Sequence, residues 1–237
     1  MTAGTSVKIS KSRAQLVGVI ASRADLHLAL RMGHPPDFFE LRLDRLLGCL
    51  DELERRLATL PAPLIVTARH PAEGGAGHLS TPARCRLLRR FLPRARYIDL
   101  ELRCARQMAA ALELAGRPRR IVSFHDFKST PTTRVLRDKA RKAAAVGAEI
   151  FKVATRTDTP AQLERLLDFA ASQEGDLAVS AMGMGRLGAV SRLVCAQLGS
   201  VLHYGSLGGP GVPGQLSIGQ LRDAFSALKI RQGWTVP

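Results

Sequence analysis

Short runs of apolar and β-branched residues alternate with amphipathic stretches along almost the whole chain, and few folds accommodate that rhythm. Strands are expected over residues 16–20, 38–43, 64–68, 97–101, 121–124, 150–154, 177–182 and 201–206. Helices are expected between them, among others over 51–60, 81–92, 103–115, 132–145, 159–172 and 217–229. Thr159-Pro160 has the form of a helix start, a capping hydroxyl followed by proline at the first helical position. Gly116 and Gly147 fall where helices should stop. Eight strand–helix units in 237 residues predict an α/β fold with one (β/α)8 barrel, a TIM barrel, which typically needs about 250 residues. An open doubly wound sheet is the alternative, but no G-x-G-x-x-G follows the first strand. No linker, repeat or low-complexity tract breaks the pattern. Residues 1–237 are therefore read as a single domain, with 1–13 as a polar N-terminal segment.

Composition removes several classes of function. No apolar run approaches the roughly 20 residues that span a bilayer, and the polar N-terminus lacks the hydrophobic centre of a signal peptide. Cys49, Cys85, Cys104 and Cys195 are scattered, without a C-x-x-C pair, so neither a disulfide framework nor a zinc site is expected. A reducing cytoplasm follows. His27, His34, His70, His78 and His203 lack ligand spacing, and no metal site is expected. The net charge of +15 raises the nucleic-acid class. Its arginines are spread over most helices, however (Arg84, Arg86, Arg89, Arg90, Arg103, Arg106, Arg134, Arg137, Arg141), and Trp and Tyr together number three. That reads as a solvated basic surface without a specific nucleic-acid partner, one that favours small anionic ligands by steering.

Lysine is scarce here, seven of 35 basic residues, and only Lys152 sits inside an apolar run, Glu149-Ile150-Phe151-Lys152-Val153-Ala154. Burial disfavours the ammonium, and a desolvated amine attacks carbonyls to form imines. A strand lysine turned outward, or paired with a carboxylate, fits the same spacing. Its company separates these readings. Barrel enzymes keep their chemistry at the C-terminal ends of the strands. There stand Glu40, Arg42 and Asp44 on one alternating face, then Arg69 with Glu73-Gly74-Gly75, then Asp99 and Glu101. His125-Asp126-Phe127, Lys152, Ser191-Arg192 and Pro213-Gly214-Gln215 follow. Charges facing a barrel interior are costly unless they pair and serve a ligand.

In this order, from Glu40 to beyond Ser217, the segments resemble those of type I 3-dehydroquinate dehydratases, imine-forming enzymes of the shikimate pathway that need no cofactor. The resemblance implies that Lys152 forms an imine with the C3 ketone of 3-dehydroquinate, that His125 is the general acid and base, and that Glu73 orients His125. It assigns the substrate carboxylate to Arg192, the pocket to Glu40, Arg42 and Arg69, and a lid contact to Gln215. Asp44, Asp99 and Glu101 read as partners that hold the arginines. Met182 and Met184 are either near the site or plain core, and Glu73 read alone could be a solvated loop carboxylate. A homodimer is implied as well. Gly211 departs from the pattern, standing where many family members carry a serine, and the loop Ser206-Leu207-Gly208-Gly209-Pro210-Gly211 lacks the polar and basic residues common there. The rival reading is an imine-forming aldolase or transaldolase-like barrel acting on a sugar phosphate, its glycine-rich loops cradling the phosphate.

Overall fold

The computed structural model describes residues 14–114, 118–172, 177–209 and 211–230. Each expected strand forms: β1 (Gln15–Ile20), β2 (Phe38–Arg42), β3 (Leu64–Thr67), β4 (Ala95–Glu101), β5 (Arg119–Asp126), β6 (Ile150–Arg156), β7 (Ala178–Met184) and β8 (Leu202–Ser206). Each is followed by its own helix: α1 (Arg23–Leu30), α2 (Leu50–Arg56), α3 (Thr81–Phe91), α4 (Ala105–Ala111), α5 (Thr133–Ala145), α6 (Pro160–Ala171), α7 (Gly188–Gln197) and α8 (Ile218–Ala227). The strands pair in parallel in the order β7-β6-β5-β4-β3-β2-β1-β8, giving a nearly closed (β/α)8 TIM barrel. At the seam between β7 and β8, serine hydroxyls join the backbone bonding. Ser180 Oγ donates to Leu202 O at 2.7 Å, Ser200 Oγ accepts from Ala181 N at 3.0 Å, and Val201 N reaches Val179 O at 2.9 Å.

Local chemistry sets the helix ends. Thr159 and Ser217 cap α6 and α8 in full capping boxes with Gln162 and Gln220. Gly147 follows α5 with φ +77°. Gly116, the last residue of the 103–115 helix and the 1–13 segment lie outside the described residues. Strands β5, β6 and β7 each run two residues beyond the apolar stretch that marks them in sequence, because parallel neighbours continue the ladder past it, as in His125 beside Ala154 and Thr155 beside Gly183.

Alternation sorts the side chains into two cores. Outward residues such as Leu41, Val66, Ile98, Val122, Phe151 and Val179 pack under the helices with Leu88, Phe91, Leu136 and Phe169. Inward residues Val17, Phe38, Ile65, Tyr97, Ile121, Ile150 and Leu202 fill the floor of the barrel. Among the described residues, no helix is long and apolar enough to cross a membrane.

Candidate active site

Lys152 stands on β6 one inward position beyond Ile150, level with Ser123 of β5 and Ser180 of β7. It is 4% exposed. Its Nζ donates to Glu40 Oε1 at 3.0 Å and to Asp99 Oδ2 at 3.1 Å, and lies 3.7 Å from the centroid of the Tyr204 ring. The burial expected from the apolar run is present, but so are two carboxylates that the run does not announce.

His125 occupies the next inward position of β5, two residues past the one level with Lys152. Glu73 reaches it from the loop after β3, where a 3-10 turn (Pro71–Glu73) starts at His70, whose Nδ1 accepts from Ala72 N. The loop can double back because Gly74 adopts φ +84° and because a Cβ on Gly75 would stand 2.1 Å from Arg69 O. Glu73 is buried, which excludes the solvated-loop reading. Its Oε2 accepts the His125 backbone N–H at 3.0 Å and meets Nδ1 at 3.0 Å. Burial, opposed by Arg69, pushes the Glu73 carboxyl up to about 7. Burial, reinforced by the charges of Arg69 and Lys152, holds the His125 imidazolium well below its ordinary range.

Behind these groups lies a chain of buried charges. Arg69 makes a bidentate pair with Asp99 (3.1 and 2.7 Å), donates to Ser123 Oγ at 2.5 Å and reaches Glu101 at 3.4 Å. Burial would raise the Asp99 carboxyl, but Arg69 and Lys152 outweigh it and hold Asp99 well below the usual carboxylate range. Glu101 also accepts His70 N at 2.8 Å and pairs with Arg84. Arg84 corrects the sequence reading. Counted there among surface arginines, it is the largest fully buried side chain, with Nε on Ala68 O at 2.6 Å. Its position was legible, since Arg84, Leu88 and Phe91 fall at i, i+4 and i+7 on the buried stripe of α3.

At the mouth, Arg42 forks onto Asp44 (3.0 and 2.8 Å) and donates to Gly74 O at 3.0 Å, joining β2 to the loop that carries Glu73. Asp44 also accepts the backbone N–H groups of Arg69 and Ala76. Arg192, from α7, is 3% exposed and donates to Tyr204 O at 3.1 Å and weakly to Met182 Sδ at 3.7 Å. Its Nε has no hydrogen-bond partner, and no carboxylate pairs with it among the described residues. Burial pushes this guanidinium down to about 10. Gln215 donates to the same Tyr204 carbonyl at 3.3 Å and accepts Val212 N at 3.1 Å. It lines a cavity of about 200 Å³ with Arg42, Arg45, Asp25, Ser206 and Gly211.

All eight residues expected at the site thus fall in one connected cluster at the C-terminal end of the barrel. Asp44, Asp99 and Glu101 do hold the arginines, and Asp99 also holds Lys152. Met182 and Met184 are buried at the inner edge of β7. Tyr204 was missed: it carries no charge, and only the fold brings β8 beneath Lys152. In the loop after β7 the phosphate cradle of the rival reading finds little free backbone. Gly183 N bonds Ser191 Oγ, Gly185 N bonds Pro213 O, Leu187 N bonds Thr157 O and Gly188 N bonds Gly185 O.

The family model for type I 3-dehydroquinase matches residues 17–232. The chain is 34% identical over 218 residues to the 3-dehydroquinate dehydratase of Pyrobaculum aerophilum, covering 91% of this chain and 71% of that protein. To the 3-dehydroquinate dehydratase of Methanocella arvoryzae it is 31% identical over 219 residues, covering 92% and 98%. The crystal structure of 3-dehydroquinate dehydratase from Geobacillus kaustophilus HTA426 matches the fold with a TM-score of 0.76 at 26% identity, over 92% of this chain and 91% of that one.

Proposed function

The chain belongs to the type I 3-dehydroquinase family, and from that premise we propose that this hydro-lyase converts 3-dehydroquinate to 3-dehydroshikimate through an imine on Lys152. The observation that carries the mechanism is a buried amine on β6 with a carboxylate-held histidine one inward position further along the neighbouring strand.

The amine of Lys152 adds to the C3 ketone and water leaves, giving a protonated imine that withdraws electrons from the adjacent C2. Because Glu73 Oε2 already accepts the His125 backbone N–H, the ionised carboxylate also accepts a hydrogen bond from Nδ1–H, the tautomer that leaves Nε2 with a lone pair. Nε2 removes a proton from C2. The electron pair returns from the resulting enamine to expel the C1 hydroxyl, which leaves as water with the proton from His125. Hydrolysis of the imine restores Lys152 and consumes the water released at its formation. The net loss is one water from C1 and C2.

Arg192 supplies the anchor for the substrate carboxylate, a buried cation with no carboxylate partner among the described residues. Arg42 and Gln215 meet the ring hydroxyls from the cavity they line. Glu40 and Arg69 stand deeper and keep Lys152 in place. On this reading residues 1–237 serve one catalytic domain with no resident cofactor, acting on a small anionic substrate. It works in the cytoplasm as a homodimer, without a specific nucleic-acid partner. The free thiols Cys49, Cys85, Cys104 and Cys195 suit a reducing compartment, and sedimentation checks the dimer.

Mixing the protein with 3-dehydroquinate should raise the ultraviolet band of a conjugated enone, and Lys152→Ala should abolish it. Borohydride added during turnover should leave a covalent adduct at Lys152, seen by peptide mass. Turnover by Lys152→Ala, or an active enzyme that yields no adduct, sinks the imine mechanism.

A further inference from the structure

We propose that Tyr204 is a catalytic residue of this barrel, the face of its ring keeping the imine on Lys152 protonated. The inference rests on the imine reading above and extends it to an uncharged side chain.

The lysine nitrogen is enclosed from several strands at once. Glu40 approaches from β2 at 3.0 Å, Asp99 from β4 at 3.1 Å, and the Tyr204 ring from β8 with its centroid at 3.7 Å. Arg69, beyond β3, bonds Asp99 and comes within 3.9 Å of Glu40 Oε1. His125 adds the titratable group from β5, and Ser180 of β7 turns its hydroxyl away to Leu202 O. Lys152 and Tyr204 are 4% and 3% exposed, so solvent screens the contact little.

Chemistry gives the ring a task that the carboxylates perform badly. Imine formation turns an ammonium into a planar cation on the same nitrogen. Only while protonated does that group acidify C2; the neutral imine is a poor electron sink. Glu40 and Asp99 stabilise the cation, yet each is also a base within hydrogen-bond distance of its proton. An aromatic face is attractive to a cation and offers no basic lone pair. Tyr204 therefore favours the charged imine without competing for its proton.

The hydroxyl is not the working part, since it is buried with no hydrogen-bond partner among the described residues. The backbone carbonyl has its own role, accepting from both Arg192 and Gln215. Side-chain substitutions leave those backbone contacts available.

The test replaces Tyr204 by Phe and then by mono-, di- and trifluorinated phenylalanine, rings of nearly one shape whose negative face fades stepwise. Leu at the same position removes the face. The readouts are kcat against pH, thermal stability and the borohydride-trapped adduct on Lys152. Tyr204→Phe is the reference of the series; it should keep its stability and form the trapped adduct on Lys152. Each fluorine should lower kcat by about threefold and move the alkaline limb of the profile to lower pH, because the imine loses its proton sooner. Tyr204→Leu should fall below the trifluorinated ring. A flat kcat with an unmoved limb across the series overturns the proposal. So does a Tyr204→Phe variant as impaired as Tyr204→Leu, which would give the role to the hydroxyl. Failure of the imine reading is a separate result, an active wild-type enzyme without a trapped adduct.

Discussion

The floor and the mouth of the barrel are built by the same strands on the same inward face, two residues apart. That step takes β2 from Phe38 to Glu40, β3 from Ile65 to Thr67 and β4 from Tyr97 to Asp99. It takes β5 from Ile121 to Ser123 and β6 from Ile150 to Lys152. Below the step the interior is held by shape, with side chains filling space at close to crystal density. Above it the interior is held by alternating charge, Lys152–Asp99–Arg69–Glu101–Arg84. Packing defects and charge defects are thus confined to different layers, and the site can carry five buried ionisable groups in a row because each carboxylate lies between two basic side chains.

The largest expected effect breaks the end of that row. Arg84→Met leaves Glu101 buried with Arg69 at 3.4 Å as its one cation and the His70 N–H as a neutral donor, and removing one partner of a buried pair costs about 3–5 kcal/mol. Urea unfolding should show that loss, and Arg84→Met/Glu101→Gln should recover much of it by removing the stranded charge. No recovery would mean that Arg84 acts through packing, and that shape holds the mouth as well as the floor. Next in size is Ile121→Ala in the floor, expected to cost about 2–4 kcal/mol with kcat essentially unchanged in the folded enzyme. A large fall in kcat would break the separation of layers.

A finer test uses the proton shared by Glu73 and His125. Glu73 is raised to about 7 and His125 is depressed, so the folded pair holds one proton over a wide range below pH 7. The rise of kcat/KM should follow its loss and level off above about pH 7. Between about pH 4.5 and 6.5 the unfolded chain also holds one proton on these two residues, charged histidine with charged glutamate. The pair then adds no pH dependence to stability. In Glu73→Gln the folded histidine is neutral while the unfolded one is charged, so stability should climb with pH across that window. The climb should exceed that of the parent by about 1.4 kcal/mol per pH unit. The difference between proteins is the measure, because His203, pushed down to about 4 by burial, adds the same slope to both. Equal slopes would show that the two side chains do not share a proton.

The sequence made the mouth legible where alternation alone decides orientation. Tyr97-Ile98-Asp99-Leu100-Glu101 can present Asp99 and Glu101 to the interior only if Ile98 and Leu100 face the helices, as they do. Features that depend on a turn or on a distant strand were harder to read. The burial of Glu73 needs the left-handed Gly74 and the close approach at Gly75. The carboxylates on Lys152 come from positions 112 and 53 residues away. Tyr204 sits at an ordinary inward position of β8, and no local pattern marks an aromatic ring as the neighbour of an amine.

The smallest effect concerns the rim, at Gly211 in the loop after β8. A Cβ on Gly211 would stand 2.3 Å from Gln215 Oε1, so a side chain there must move the end of Gln215. Gln215 currently spends its amide on Tyr204 O and Val212 N while its side chain lines the cavity. Gly211→Ser should free the Gln215 amide for a ligand in that cavity and add a hydroxyl beside it. We expect KM to fall by about threefold, near the worth of one modest hydrogen bond, with kcat and stability little changed. A rise in KM would mean that the glutamine held by Tyr204 O and Val212 N is the binding form, and that the glycine is what permits it.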